Sequence, residues 1–68
     1  MTTKGWHYSV YKNGHVIKTT RDFEEAEEYV FSINSMLMRS GDIGYTSYYI
    51  NLDDAPIYEI ILEEDWTE

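Results

Sequence analysis

A chain of 68 residues without cysteine has room for one domain, residues 1–68, and excludes disulfides and thiolate metal sites. Its net charge of −8 argues against direct binding to nucleic acid, which requires clustered lysine and arginine. No apolar run approaches the roughly 20 residues of a membrane span, and the N-terminal residues lack an apolar signal segment, so we expect a soluble, cytoplasmic protein.

The charges are distributed unevenly along the chain. The first 21 residues contain four bases and no acid, whereas residues 22–68 contain all thirteen acids and a single base, Arg39. A basic partner would complement this acidity. Acidity also keeps small proteins soluble, and this second explanation stays open.

The first predicted element is a β-hairpin that follows a frayed N-terminus, residues 1–4. Residues 5–12 alternate in character, and Asn13-Gly14 is the pair that a type I′ turn favours. A two-residue turn pairs Tyr11 with Val16. The same register, continued along both strands, defines the two faces of the hairpin. The predicted inward face contains Trp6, Tyr8, Val10, Ile17 and Thr19. The predicted outward face contains His7, Ser9, Tyr11, Val16, Lys18 and Thr20.

A helix is predicted over residues 22–38, the only segment with a sustained helical period. Its apolar stripe comprises Phe23, Ala26, Val30, Ile33 and Leu37. Asp22 and Glu25 fit a capping box at the start, with Thr20 as the competing cap. Gly41 is the predicted left-handed stop after the last turn.

Two further strands are predicted at residues 45–52 and 57–63, after a loop at residues 42–44 and before an acidic tail at residues 64–68. An odd-length connection between them places Tyr48, Ile50 and Leu52 on the same face as Tyr58, Ile60 and Leu62. Burial of one face favours this register. The sequence therefore predicts an α+β fold, ββαββ, with one antiparallel sheet of about four strands and the single helix on one face.

No residue pattern indicates catalysis, a cofactor or a metal. His7 and His15 lie on separate predicted strands without an evident third ligand. Asp53 and Asp54 suit a turn, and no glycine-rich phosphate loop is present. We therefore expect a protein that is not an enzyme and that binds no cofactor and no metal.

The acidic face of the predicted helix is the candidate partner-binding surface. Glu24, Glu27, Glu28 and Phe31 lie away from the apolar stripe, and side chains three or four positions apart are about 5–6 Å from each other. Such a row of carboxylates resembles phosphates along a nucleic-acid strand. The tail adds Glu63, Glu64, Asp65 and Trp66. The alternative is that the glutamates serve only the helix start and solubility, and that Phe31 packs under the loop or the tail.

Two functions follow as hypotheses. In size and charge the chain resembles the nucleic-acid mimics that phages make against host defence, including anti-CRISPR and anti-restriction proteins, although no motif identifies a family. On this hypothesis it is an inhibitor that occludes a basic nucleic-acid-binding protein in the host cytoplasm. The alternative is an assembly module that homodimerises through an exposed sheet face, formed by Tyr11, Val16, Tyr49 and Ile61.

Overall fold

The computed structural model describes the backbone of residues 3–67 and the side chains of residues 5–64. The elements are β1 (Thr3–Lys12), β2 (His15–Thr20), α1 (Phe23–Ile33), β3 (Met38–Asp42), β4 (Tyr45–Tyr49) and β5 (Tyr58–Thr67). The strands form one antiparallel sheet in the order β2-β1-β5-β4-β3. The α+β class with one antiparallel sheet and one helix is confirmed, but the sheet has five strands and the element order is ββαβββ.

The β1–β2 hairpin has the predicted turn. Asn13 and Gly14 both have positive φ, 51° and 85°, as a type I′ turn requires. Tyr11 pairs with Val16 as predicted. The turn is therefore determined by its own two residues.

Beyond this pair a β-bulge changes the register, so that Lys18 rather than Ile17 lies opposite Val10. Lys18 consequently lies on the helix side of the sheet, with its Nζ 5.2 Å from the centre of the Tyr29 ring. The predicted inward positions of Ile17 and Thr19 and outward positions of Lys18 and Thr20 are wrong, because one extra residue exchanges the faces of every residue beyond it.

Helix α1 begins where the sequence indicates. The Asp22 carboxylate accepts a 3.0 Å hydrogen bond from the Glu24 N–H, which confirms Asp22 as the N-cap. The capping box with Glu25 is not formed, because the Asp22 N–H donates to the Thr20 hydroxyl oxygen instead. Glu25 accepts a 3.0 Å hydrogen bond from that same hydroxyl and lies 3.8 Å from Lys18.

The helix ends at Ile33, five residues before its predicted end. The side chain of Asn34 accepts a hydrogen bond from the Met36 N–H, which turns the chain out of the helix. Leu37 is buried although it lies in the connection, so its apolar character imitates a continuing helix. Gly41 does not stop the helix, since it lies inside β3 with φ of 105°.

The last two strands differ from their predicted bounds. Strand β4 ends at Tyr49, so Ile50 and Leu52 are exposed in the following bend. Strand β5 continues to Thr67 and pairs with β1 back to Thr3, so most of the predicted acidic tail is a strand. The predicted fraying is wrong for residues 3–4, and residues 1–2 and 68 lie outside the described part.

The core lies between α1 and one face of the sheet. Tyr48 pairs with Tyr58, and Val10 pairs with Ile60, so these side chains share the helix-facing side. The predicted same-face placement of Tyr48, Tyr58 and Ile60 is confirmed. The buried apolar residues are Val10, Ala26, Val30, Leu37, Tyr48, Tyr58 and Ile60. Trp6 lies on the same face of β1 as Tyr8 and Val10, as predicted, but its side chain is 47% exposed.

Candidate protein-binding groove

The helix lies over one side of the sheet's inner face. In the described part of the chain, α1 packs its backbone against β1, β2 and β5, and not against β3 or β4. A groove therefore separates α1 from the β3–β4 hairpin. One depression, between the helix and the hairpin, is lined by Phe23, Glu24, Glu27, Arg39, Gly41, Asp42, Ile43 and Thr46. A second depression adjoins it on the helix, shares Glu24 and Glu27 with it, and is completed by Glu28 and Phe31; the two together are called the groove. The four residues that the sequence predicts on the acidic helix face thus line one surface.

Glu27 is held in a hydrogen-bonded network at the bottom of this groove. The buried Tyr48 hydroxyl donates to its carboxylate over 2.8 Å, and Arg39 Nη1 donates to both carboxylate oxygens over 3.0 and 3.3 Å. Burial, followed by the bond to Glu27, raises the pKa of Tyr48 well above its ordinary value. Glu27 is therefore neutralised by a neighbouring base, which corrects its interpretation as a free carboxylate.

Phe31 is half-buried rather than fully exposed. Its ring meets the Tyr48 ring edge to face, with centroids 5.5 Å apart and planes at 87°. The ring therefore contributes apolar surface to the wall of the groove and remains partly accessible at its edge.

Glu24 and Glu28 are the free acids of the groove. Both are exposed, and among the described residues neither carboxylate makes a hydrogen bond or an ion pair. They lie four positions apart, where like charges repel and weaken a helix. The positive end of the helix dipole explains Glu24 in the first turn but extends little beyond that turn, so it does not explain Glu28.

Glu63 lies on the other face of the sheet, away from the groove. Its carboxylate accepts a 3.0 Å hydrogen bond from the Tyr11 hydroxyl and lies 3.5 Å from His7 Nε2. Hydrogen bonds from Ser9 and Tyr11 and the charge of His7 lower its pKa. Glu63 pairs with His7 in the sheet register, and Ser9, which lies between His7 and Tyr11 on the same face, is buried.

Among the described side chains, Glu64 is the remaining predicted partner-binding residue, and it does not line the groove. Glu64 is exposed and points to the face opposite Glu63, since neighbouring strand residues alternate. Asp65 and Trp66 pair through their backbones with Gly5 and Lys4, and their side chains lie outside the described residues. The predicted surface is therefore divided between the helix and the far end of β5.

The four residues of the predicted dimer face do share the outer face of the sheet. Tyr11, Ile61 and Tyr49 are partly exposed there, and Val16 is 52% exposed. Two carboxylates interrupt this face, Glu63 and Glu59, and Glu59 accepts a hydrogen bond from the Tyr45 hydroxyl. The outer face is consequently a mixed aromatic and acidic surface.

Sequence reasoning did not identify Arg39, Tyr48, Tyr45 or Glu59 as parts of these surfaces. The one available signal was that Arg39 is the single base after residue 21, surrounded in sequence by many possible acidic partners. Among the described residues no three histidine, aspartate or glutamate side chains are placed to share a metal ion. In the same part of the chain no helix is long and apolar enough to cross a membrane.

No known protein family, no curated protein and no solved structure matches this chain.

Proposed function

We propose that this chain is a small acidic binding protein without enzymatic activity, which docks its groove on a basic nucleic-acid-binding protein and occludes the nucleic-acid site. The observation that carries this proposal is the pair of exposed carboxylates of Glu24 and Glu28, unpaired among the described residues, beside the half-buried Phe31. A basic partner would relieve the repulsion between the two acids, and the Phe31 ring would provide an apolar contact at the centre.

The overall charge supports the same conclusion. A net charge of −8 on 68 residues attracts a basic surface over a distance and speeds association. The Glu27–Arg39–Tyr48 network connects the helix to the β3–β4 hairpin at the groove, and such preorganisation lowers the ordering cost of binding. Since Glu27 is neutralised, the groove imitates a local pair of phosphates rather than an extended backbone.

The biological setting that fits this proposal is a phage-type inhibitor of the anti-CRISPR or anti-restriction kind, acting in the host cytoplasm. Composition supports this setting, through small size and strong acidity. The partner would be a host-defence protein that binds DNA or RNA through lysine and arginine side chains.

The decisive experiment compares two charge-reversed variants that carry the same net charge. Glu24→Lys with Glu28→Lys alters the groove, and Asp53→Lys with Asp54→Lys alters an exposed turn. Each pair of changes brings the net charge from −8 to −4. Each protein is immobilised and incubated with bacterial lysate, with and without competing duplex DNA, and captured proteins are tested for nucleic-acid binding.

We expect the wild type and the turn variant to capture a basic protein that competing DNA displaces, and the groove variant to lose it. Glu27 is left unchanged because its reversal would disrupt the fold. Equal capture by all three proteins, or equal loss in both variants, would show that the groove carboxylates are not the contact surface.

Homodimerisation through the outer sheet face remains a second proposal, supported by the exposure of Val16 and the absence of a second layer over that face in the described chain. A two-fold pairing would bring Glu59 and Glu63 of both copies together, at an electrostatic cost. Light scattering at micromolar concentration tests it, since a monomeric mass there rules out an obligate dimer.

A further inference from the structure

Strand β3 is an open edge of the sheet. It pairs with β4 on one side only, and all five of its residues are exposed. An edge strand presents a row of backbone N–H and C=O groups that can pair with another chain. The groove adjoins this edge, since Arg39 and Gly41 line both.

The opposite edge, β2, is protected against such pairing. Its register is interrupted by the bulge beside Val10, and bulges discourage the addition of a further strand. Helix α1 packs on β2, and Lys18 reaches from it to Glu25 and Tyr29. Strand β3 has neither a bulge against β4 nor a helix over it in the described chain.

We propose that the partner supplies an extended basic segment that adds to the sheet as a sixth strand along β3. This inference rests on the proposed function and specifies how the groove is used. Backbone hydrogen bonds to β3 would provide affinity, and every second side chain of the added strand would point into the acidic groove.

The groove also specifies where the basic side chain belongs. The inner-face positions of β3 are Arg39 and Gly41, which pair with Tyr48 and Thr46. A basic residue beside Arg39 would be repelled, whereas Gly41 carries no charge and lines the groove. An arginine beside Gly41 enters the same groove that Glu24 lines, so this pairing is the one that charge favours.

The test uses three synthetic peptides of about seven residues, the length of an ordinary strand. The parent alternates arginine and threonine. One derivative is N-methylated at its threonines and the other at its arginines, so each lacks the N–H donors along one edge. Affinities for the full chain are measured by calorimetry, and hydrogen exchange of the β3 and β2 amides is followed with and without the parent peptide.

We expect one N-methylated peptide to bind within about twofold of the parent and the other to lose about tenfold or more, since only one edge faces β3. Amides of β3, and not those of β2, gain protection. The groove variant with Glu24→Lys and Glu28→Lys weakens the parent peptide by about tenfold or more, while the Asp53→Lys and Asp54→Lys control does not.

Three results would overturn strand addition. Equal binding of both N-methylated peptides would show attachment by charge alone, and the proposed function would survive. If the parent peptide does not bind while the capture of a basic protein still depends on the groove, strand addition is likewise contradicted and the proposed function survives. Concentration-dependent protection of β3 without peptide would assign the edge to a second copy of the chain. Loss of groove dependence in the capture experiment would instead contradict the proposed function itself.

Discussion

The hydroxyl of Tyr48 donates a 2.8 Å hydrogen bond to the carboxylate of Glu27, and this contact joins the helix to a strand that the helix backbone does not approach. Arg39 completes the contact from the neighbouring edge strand, 3.0 Å from the same carboxylate. The helix and the β3–β4 hairpin are thus connected by side chains, and Glu27 and Arg39 of this network line the groove.

Replacing Tyr48 by phenylalanine should destabilise the fold. The change removes a hydrogen bond to a charged group at a fully buried position, and we expect the free energy of unfolding to fall by about 1–3 kcal/mol. Tyr49→Phe is the matched control, since its hydroxyl has no hydrogen-bond partner among the described residues, and should change stability by less than about 0.5 kcal/mol. Urea denaturation measures the free energy of unfolding of both variants. A Tyr48→Phe protein as stable as wild type would show that the Tyr48–Glu27 hydrogen bond contributes nothing to stability.

The stabilities of the same two variants should depend differently on pH in the alkaline range. The pKa of Tyr48 is raised in the folded protein above the ordinary 10.0, chiefly by burial and then by Glu27, so the unfolded chain loses this proton first. The resulting stability is complete below pH 10.0 and is lost as the pH rises toward the folded pKa. Above about pH 10 wild type and Tyr49→Phe should therefore lose stability more steeply than Tyr48→Phe; parallel curves for all three would contradict the assignment.

Local signals in the sequence predicted the parts of the fold that depend on neighbouring residues. Asn13-Gly14 determines its turn and Asp22 its cap through their own backbone preferences. The bulge could not be predicted in this way, because no turn or capping residue marks it; its effect, Lys18 beside Tyr29, is a contact between separate elements. Leu37 extended the predicted helix because a buried residue in a connection has the same apolar character as one in a helix.

The same division applies to the candidate site. Helical spacing placed Glu24, Glu28 and Phe31 on one side of the helix, and the groove contains all three. The ion pair between Glu27 and Arg39 was not predictable from helical spacing, because Arg39 reaches Glu27 only once β3 is paired at the edge of the sheet. The sequence predicts residues 64–68 as a tail because the pairing partner of the strand that reaches Thr67 is the N-terminal strand, at the other end of the sequence.

Gly41→Ala should be strongly destabilising. Gly41 has φ of 105°, which a residue with a side chain rarely adopts, and a Cβ there would lie 2.5 Å from the Tyr45 carbonyl oxygen. We expect a loss of at least about 2 kcal/mol. Gly44→Ala is the control, since a Cβ at Gly44 meets nothing within 4 Å, and its thermal midpoint should stay near that of wild type. A folded Gly41→Ala protein with an unchanged midpoint would contradict the β3 geometry.

Glu63→Gln should make the free energy of unfolding less dependent on pH in the acidic range. The folded pKa of Glu63 lies below the ordinary 4.5, chiefly because Ser9 bonds to its carboxylate, so the unfolded chain takes up this proton first. The stability contributed by the carboxylate is present above pH 4.5 and is lost as the pH falls through the folded pKa. Urea denaturation between about pH 6 and about pH 3 should therefore show the wild-type advantage over Glu63→Gln shrinking toward acid. Glu24→Gln, which removes a carboxylate without a hydrogen-bonded partner among the described residues, should keep the wild-type slope; a constant difference between wild type and Glu63→Gln would show that the contacts with Ser9, Tyr11 and His7 do not favour the ionised form.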